Sequence, residues 1–345
     1  MRVLVTGAAG YIGSHAVKRL LEDGHFVVGV DSFVEGKPGA IAALRRVKGG
    51  GERFVFERCD IADRPRIEGL LRTLGVEAIV HFAAFANLRE SVSQPLKYYR
   101  NNTAAALSLV EAADAADVRT FVFSSTCATY GDLTERDVPV TEEYPHRAPI
   151  NPYGHSKLAL EWTLEDWADA RRRADKPVAL SILRYFNVAG CDRSGLLGED
   201  RTPHIRIVPI LIEAALGRRE SVTINGTDWP TPDGTCIRDY IHVDDLVDAH
   251  AAVLTALRPG DRRVYNLGLG HGTSIRELIA STQRVTGAKL KIINGPRAAG
   301  DPAMLYCDPS RIERELGWKA KVRDLDEIVR TAADWMRTHP NGYEH

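Results

Sequence analysis

The segment Gly7-Ala8-Ala9-Gly10-Tyr11-Ile12-Gly13 directly follows the apolar run Arg2–Thr6 and directly precedes a helical pattern. Glycines at such a join permit a tight turn and let backbone N–H groups approach a diphosphate, which the positive end of the helix also attracts. The spacing is GxxGxxG rather than GxGxxG, and a chain with 29 glycines can produce such a pattern in an ordinary strand-to-helix turn. Two features favour the nucleotide: the loop sits one residue past the first strand, and Asp31 ends the second. A carboxylate there is placed to bond ribose hydroxyls and would repel a 2′-phosphate. No arginine follows it closely, so the expected cofactor is NAD rather than NADP.

The first half repeats this strand-then-helix pattern. Strands are expected at Arg2–Thr6, Phe26–Asp31, Phe54–Cys59, Ala78–Phe82, Thr120–Ser124 and Val178–Arg184. Their apolar residues run continuously, as in strands covered on both faces. Helical patterns at Ile12–Asp23, Arg64–Leu74, Asn101–Ala116 and Tyr153–Arg173 lie between them. The expected fold is therefore α/β, a doubly wound parallel Rossmann sheet. The second half is less regular, with a polar stretch Cys191–Pro203 and a loop Thr227–Thr235. Helices are expected there at Ile207–Leu216, Asp244–Leu257, Ser274–Thr286 and Leu325–His339. We expect a dinucleotide-binding domain over 1–186 and a smaller C-terminal α/β substrate domain over 187–345, with a segment near 239–262 returning to the first. The tail after Thr338 is expected to fray.

Composition narrows the partners. Lys plus Arg number 45 and Asp plus Glu 46, so there is no basic excess for nucleic acid. No uninterrupted apolar stretch reaches the roughly 18 residues of a membrane helix, and the short N-terminal apolar run does not read as a signal peptide. Cys59, Cys127, Cys191, Cys236 and Cys307 are odd in number and widely spaced, which points to packing residues in a reducing, cytoplasmic setting. No cluster has metal spacing. His15, His81 and His242 lie in apolar contexts and read as packed polar groups, while His204 lies on a loop in the second half and stays undecided.

Tyr153 and Lys157 share one face at the start of a helix, behind Pro152. Such a pair arises by chance in roughly one chain in three, and a surface tyrosine beside a solvated lysine is the bland alternative. Its company raises its value: the strand Phe121-Val122-Phe123 ends in Ser124-Ser125-Thr126, and ligands of open α/β sheets bind at strand C-terminal ends. A base for a secondary alcohol should titrate near neutrality. Lowering a tyrosine by about three units takes about 4 kcal/mol, which Lys157 and an oxidised nicotinamide could supply. Thr126 would bond the substrate hydroxyl.

Together these residues resemble the extended short-chain dehydrogenase/reductase family, in its UDP-hexose 4-epimerase branch. The resemblance runs nearly end to end, through Gly7–His15, Asp60-Ile61, Glu90-Ser91-Val92, Asn101-Asn102, Ser124–Gly131, Pro152-Tyr153-Gly154, Leu183–Asn187, Asp233-Gly234-Thr235, Arg238–Val243 and Tyr265–Gly268. It implies a tightly held NAD reduced and reoxidised within one cycle, with Tyr153 taking the proton from the sugar 4-hydroxyl. The 4-keto sugar then turns about its diphosphate link and hydride returns to the other face. Implied cofactor contacts are Gly7, Gly10, Tyr11, Ile12, Gly13, Asp31, Ser32, Phe33, Val34, Glu35, Gly36, Asp60, Ile61, Phe82, Ala83, Ala84, Phe85, Ala86, Asn101, Lys157, Tyr185 and Phe186. Implied UDP-sugar contacts are Thr126, Tyr153, Asn187, Arg206, Ile207, Thr223, Ile224, Asn225, Arg238, Arg297, Asp301 and Leu305. It also implies a two-fold homodimer built on the helices 101–116 and 153–173, each apolar on more than one side.

The chain departs from the family at several positions. Ala86 stands where a lysine is common, Thr126 where serine is common, and Ala298 where a second phosphate-anchoring arginine is common. Arg206 replaces an uncharged residue or histidine and is expected to take over part of that anchoring, with Arg297 as its rival. Leu305 falls where the family sets the size of the sugar pocket. A 4,6-dehydratase needs an Asp-Glu pair after Thr126, where Cys127-Ala128 stand. A UDP-xylose/UDP-arabinose or UDP-uronate 4-epimerase would keep every residue named. A non-catalytic nucleotide sensor would not need Thr126, Tyr153 and Lys157 together.

Overall fold

The computed structural model describes residues 1–298 and 301–343. Seven strands form one parallel sheet: β1 (Arg2–Thr6), β2 (Phe26–Asp31), β3 (Phe54–Arg58), β4 (Ala78–His81), β5 (Thr120–Ser124), β6 (Ala179–Tyr185) and β7 (Arg262–Leu267). Their order is β7-β6-β5-β4-β1-β2-β3. The direction of winding reverses between β1 and β4, which opens a crevice at their C-terminal ends. Gly7, Phe82 and Thr126 all follow strands at this edge.

Both sheet faces are covered, which is why the strands read as unbroken apolar runs. Val3, Val5, Val27, Val80 and Val122 face one side, against Val17, Leu20 and Leu21 of helix Tyr11–Glu22 and Leu246 and Val253 of helix Val243–Ala256. Leu4, Val28, Ile79, Phe121 and Phe123 face the other, against Ile67, Leu71, Leu109, Leu160 and Leu164. The first of these cores runs on into the second half, through Leu211, Ile212, Ile328, Val329 and Trp335.

Several local expectations change. Strand β7 pairs with β6 from Arg262↔Leu180 to Leu267↔Tyr185 and closes the sheet, although its charged start, Arg262-Arg263, hides the strand pattern. The expected helix Asn101–Ala116 is a π-helix over Tyr99–Ala105 followed by an α-helix over Ala106–Ala115. In that wider turn the Asn102 side chain bonds the Phe85 backbone and the Ser156 hydroxyl. The described tail, residues 339–343, does not fray: Tyr343 is buried, its hydroxyl 3.0 Å from the Gly198 amide and its amide 2.9 Å from Asp200 Oδ2. A buried aromatic anchor outweighs the fraying expected of a terminus. Among the described residues no helix is long and apolar enough to cross a membrane.

Candidate active site

The glycine loop is a backbone cradle. Gly7 has φ of 71°, and a Cβ there would lie 2.9 Å from the Ala83 amide nitrogen. A Cβ on Gly13 would lie 2.0 Å from the Gly7 carbonyl oxygen, so helix and loop meet only because Gly13 lacks a side chain. Tyr11 leaves this loop and donates its hydroxyl to Gly190 O at 2.5 Å, joining the loop to the second half.

Asp31 lies beside the cradle and is nearly buried. Its carboxylate accepts the Ala9 amide at 3.0 Å and the Phe33 amide at 2.8 Å. Burial nevertheless holds its carboxyl above the usual range. It takes part in no ion pair among the described residues. A desolvated carboxylate with spare acceptor capacity suits hydroxyl donors, as in a ribose diol, and disfavours a phosphate. These residues therefore fit NAD. Phe33, in the left-handed region at φ 62°, and Glu35 continue the loop over it. Glu35 forms a two-pronged ion pair with Arg201, both contacts 2.8 Å. Farther along the edge, Ile61 and Phe186 are buried, Asp60 is exposed with Oδ1 on the Ala62 amide, and Phe82 packs 4.8 Å from the His250 ring.

The helix Pro152–Arg173 starts behind Asn151, whose side chain accepts the Gly154 amide at 2.9 Å. That cap puts Tyr153 and Lys157 in its first two turns, facing the end of β5. Both are buried. Lys157 Nζ donates to Ser124 O at 2.8 Å and lies 4.8 Å above the Phe123 ring. Burial lowers the Lys157 ammonium to about 7, against the pull of Glu161. Burial raises the Tyr153 phenol, with Tyr185 adding to the rise, while the Thr126 hydroxyl pulls it back. The protein alone thus makes Tyr153 a weak acid, and the lowering a base requires must come from added positive charge. The Thr126 hydroxyl bonds Tyr153, and Tyr185, Cys127 and Arg206 are close enough to act on it electrostatically.

The candidate UDP-sugar residues divide. Arg238 is 8% exposed, and among the described residues its Nη1 donates to the carbonyls of Ile237 at 2.8 Å and Ala303 at 3.5 Å. Leu305 is directly across from it on the neighbouring short strand and packs with Cys127, Tyr130 and Phe186. Asp301 lies near Tyr240, whose buried hydroxyl finds no partner among the described residues. Arg206 pairs with Glu199 at 2.5 Å and lies 5.2 Å above the Tyr11 ring. Arg297 instead turns to the surface, its Nε 2.8 Å from Asp228 and its guanidinium 4.3 Å above Trp229. Thr223 is exposed, Ile224 buried, and Asn225 gives its carbonyl to Trp229 Nε1 at 3.1 Å.

Residues to which the motifs assigned no role complete the site. Glu161 and Arg184 form a fully buried pair at 2.6 Å, and Arg184 also reaches the Tyr130 hydroxyl at 3.1 Å. Ser124 Oγ lies 2.8 Å from His250 Nε2. The helical spacing of Glu161 from Tyr153 and Lys157 was the available signal.

The profile of the NAD dependent epimerase/dehydratase family matches residues 3–268. The chain belongs to this family. It is 40% identical over 345 residues to a UDP-glucose 4-epimerase of Lactobacillus helveticus, covering 100% of this chain and 99% of the relative. It is 43% identical to a probable UDP-arabinose 4-epimerase of Oryza sativa subsp. japonica, over 99% of this chain and 80% of the relative. Among solved structures, a UDP-glucose-4-epimerase of Stenotrophomonas maltophila with bound NAD and formylated UDP-arabinopyranose superposes with a TM-score of 0.92 at 38% identity, over 99% of each chain. The family resemblance, the parallel Rossmann-like sheet and the NAD cofactor expected from the motifs agree with these matches.

Proposed function

We propose that the chain interconverts UDP-glucose and UDP-galactose by NAD-dependent epimerisation at C4, through a transient 4-keto sugar. The observation that carries this reading is the buried group of Tyr153, Lys157 and Thr126 at the sheet edge that also holds the glycine cradle and Asp31. NAD, when bound, supplies the acceptor and donor for hydride. Tyr153 Oη takes the proton from the 4-hydroxyl and later returns it. Lys157, charged at and below about pH 7, stabilises the phenolate. Thr126 gives the sugar hydroxyl a hydrogen-bond partner. Asp31 holds the adenosine ribose, and the residues from Ser32 to Gly36, Asp60-Ile61, Phe82 to Ala86, Asn101, Tyr185 and Phe186 line the rest of the cofactor groove. Arg238 anchors the UDP diphosphate, Arg206 supplies a second cation, and Asn187, Ile207, Thr223 to Asn225, Asp301 and Leu305 complete the nucleotide-sugar pocket.

Pentose epimerisation is the second reading, favoured by the UDP-arabinose 4-epimerase relative. Turnover of UDP-glucose, UDP-xylose, UDP-arabinose and UDP-glucuronate, assayed side by side, decides between them. Fastest turnover of the pentoses would overturn the first. Bound NAD without turnover of any UDP-sugar would make the chain a sensor.

We further propose a homodimer paired through the helices around 95–115 and 152–173. Leu96 is 75% exposed and Trp162 50%, and Tyr99 and Leu107 are also exposed. Such apolar groups on adjacent helices suit a self-complementary contact. Five free cysteines suit a cytoplasmic enzyme, and the reaction would place it in galactose metabolism.

A further inference from the structure

Tyr153, Lys157 and Glu161 recur every four residues on the helix Pro152–Arg173, so they form one row along a single face. Opposite this row stand three consecutive residues at the end of β5. Thr126 faces Tyr153. The carbonyl of Ser124 accepts Lys157 Nζ at 2.8 Å. The hydroxyl of Ser125 donates to Glu161 Oε1. The first two rungs belong to the proposed chemistry, and the third lies outside it.

That third rung is tied firmly. Glu161 is 0% exposed. Besides Ser125, its Oε1 accepts Arg184 Nε at 3.0 Å, and its Oε2 accepts Arg184 Nη2 at 2.6 Å and Arg147 Nη1 at 3.0 Å. Arg184 is in β6, directly before Tyr185. Its Nη1 reaches the Tyr130 hydroxyl, which donates in turn to Asn266 Oδ1 at 2.8 Å on β7. The Ser125 amide donates to Leu183 O at 2.8 Å, so the strand end is held from β6 as well. One carboxylate thus joins the helix, the end of β5, strand β6 and the loop carrying Arg147. Apolar residues of similar volume generally stabilise a core as well as a buried ion pair does, so stability alone gives this network little reason to be polar.

We propose that Glu161 is a positioning residue for the epimerisation, holding Thr126 and the Ser124 carbonyl in register with Tyr153 and Lys157 through the Ser125 hydroxyl. The inference rests on the functional reading above. Ser125 Oγ is the side-chain link between Glu161 and the strand end, and it carries no charge itself. Misplacing reacting groups by about 1 Å can cost a hundredfold in rate, so loosening this link should act on the chemical step.

The test is steady-state kinetics of Ser125→Ala, with thermal unfolding measured alongside. The substitution removes the tie and leaves the Arg184–Glu161–Arg147 pairs in place. Expected is a fall in kcat of about tenfold, with KM for the UDP-sugar within twofold of the parent and little change in Tm. Glu161→Gln should lower kcat at least as much. If that variant does not fold, Ser125→Ala decides alone. A Ser125→Ala enzyme with kcat within twofold of the parent overturns the proposal, whether or not its Tm falls. A parent that turns over no UDP-sugar overturns the functional reading, and the positioning role with it.

Discussion

Replacing Arg238 should separate ligand binding from stability. Its guanidinium is 8% exposed, has one carbonyl acceptor at 2.8 Å and one at 3.5 Å, and takes part in no ion pair among the described residues. A buried cation in that state is costly to the protein until an anion arrives. A UDP diphosphate would supply charge-assisted acceptors, and losing such a bond costs roughly 1.5–3 kcal/mol. At a tenfold change per 1.4 kcal/mol, Arg238→Ala should bind UDP about 10- to 150-fold more weakly. Arg238→Lys keeps the charge but not the forked donor geometry and should recover only part of the loss. Because the free protein gains carbonyl hydrogen bonds but no ion pair from this cation among the described residues, Tm should fall by much less than UDP binding does. Isothermal calorimetry with UDP and a thermal melt read both quantities. Arg206→Ala and Arg297→Ala belong in the same series. Arg206 must share its charge with Glu199, so its loss should weaken UDP less than the loss of Arg238, while surface-turned Arg297 should matter least. The reasoning fails if Arg238→Ala binds UDP within threefold of the parent, or if Arg297→Ala is the most damaging of the three.

Tyr153→Phe should retain NAD and lose at least about a hundredfold in kcat, the usual size of a positioned acid–base, and near-normal turnover would remove Tyr153 from the mechanism. Nucleotide extracted from the denatured protein should be NAD, and recovery of mainly NADP would contradict the role given to Asp31. Leu305 should favour plain UDP-sugars over UDP-N-acetylglucosamine by about 1–3 kcal/mol in kcat/KM, and equal values would refute that pocket assignment. Stability should fall on mild acidification. Burial lowers His15 and His250 to about 4 and His81 and His242 to about 3. Each folded value lies below the unfolded 6.5, so the stability present above that pH is lost as pH falls toward the folded values, about 1 kcal/mol per histidine between pH 6.5 and 5.5. Asp244, raised by burial to about 6, offsets about 0.7 kcal/mol of the total over that interval. A Tm unchanged between pH 6.5 and 5.5 would show that these histidines titrate freely.

Much of the first half was legible because its signals are local. A strand covered on both faces announces itself by continuous Val, Ile and Phe, a glycine cradle by its position after β1, and a helix start by Pro152. Tyr153 and Lys157 were legible for the same reason, since four-residue spacing places them on one helix face wherever that helix goes. Strand β7 was not legible, because Arg262-Arg263 interrupts the apolar run that marks the other strands, and its pairing with β6 makes those residues a strand. Nor was the burial of Tyr343, which depends on a pocket formed by Gly198 and Trp335. The three arginines state the division most clearly. Arg206, Arg238 and Arg297 carry the same chemistry in the sequence, and only the family resemblance ranked them there. The tertiary fold places Glu199 beside the first and Asp228 beside the third, and among the described residues it gives the second backbone carbonyls alone. A charge is available to a ligand only to the extent that the fold leaves it unpaired, and that depends on residues distant in the chain.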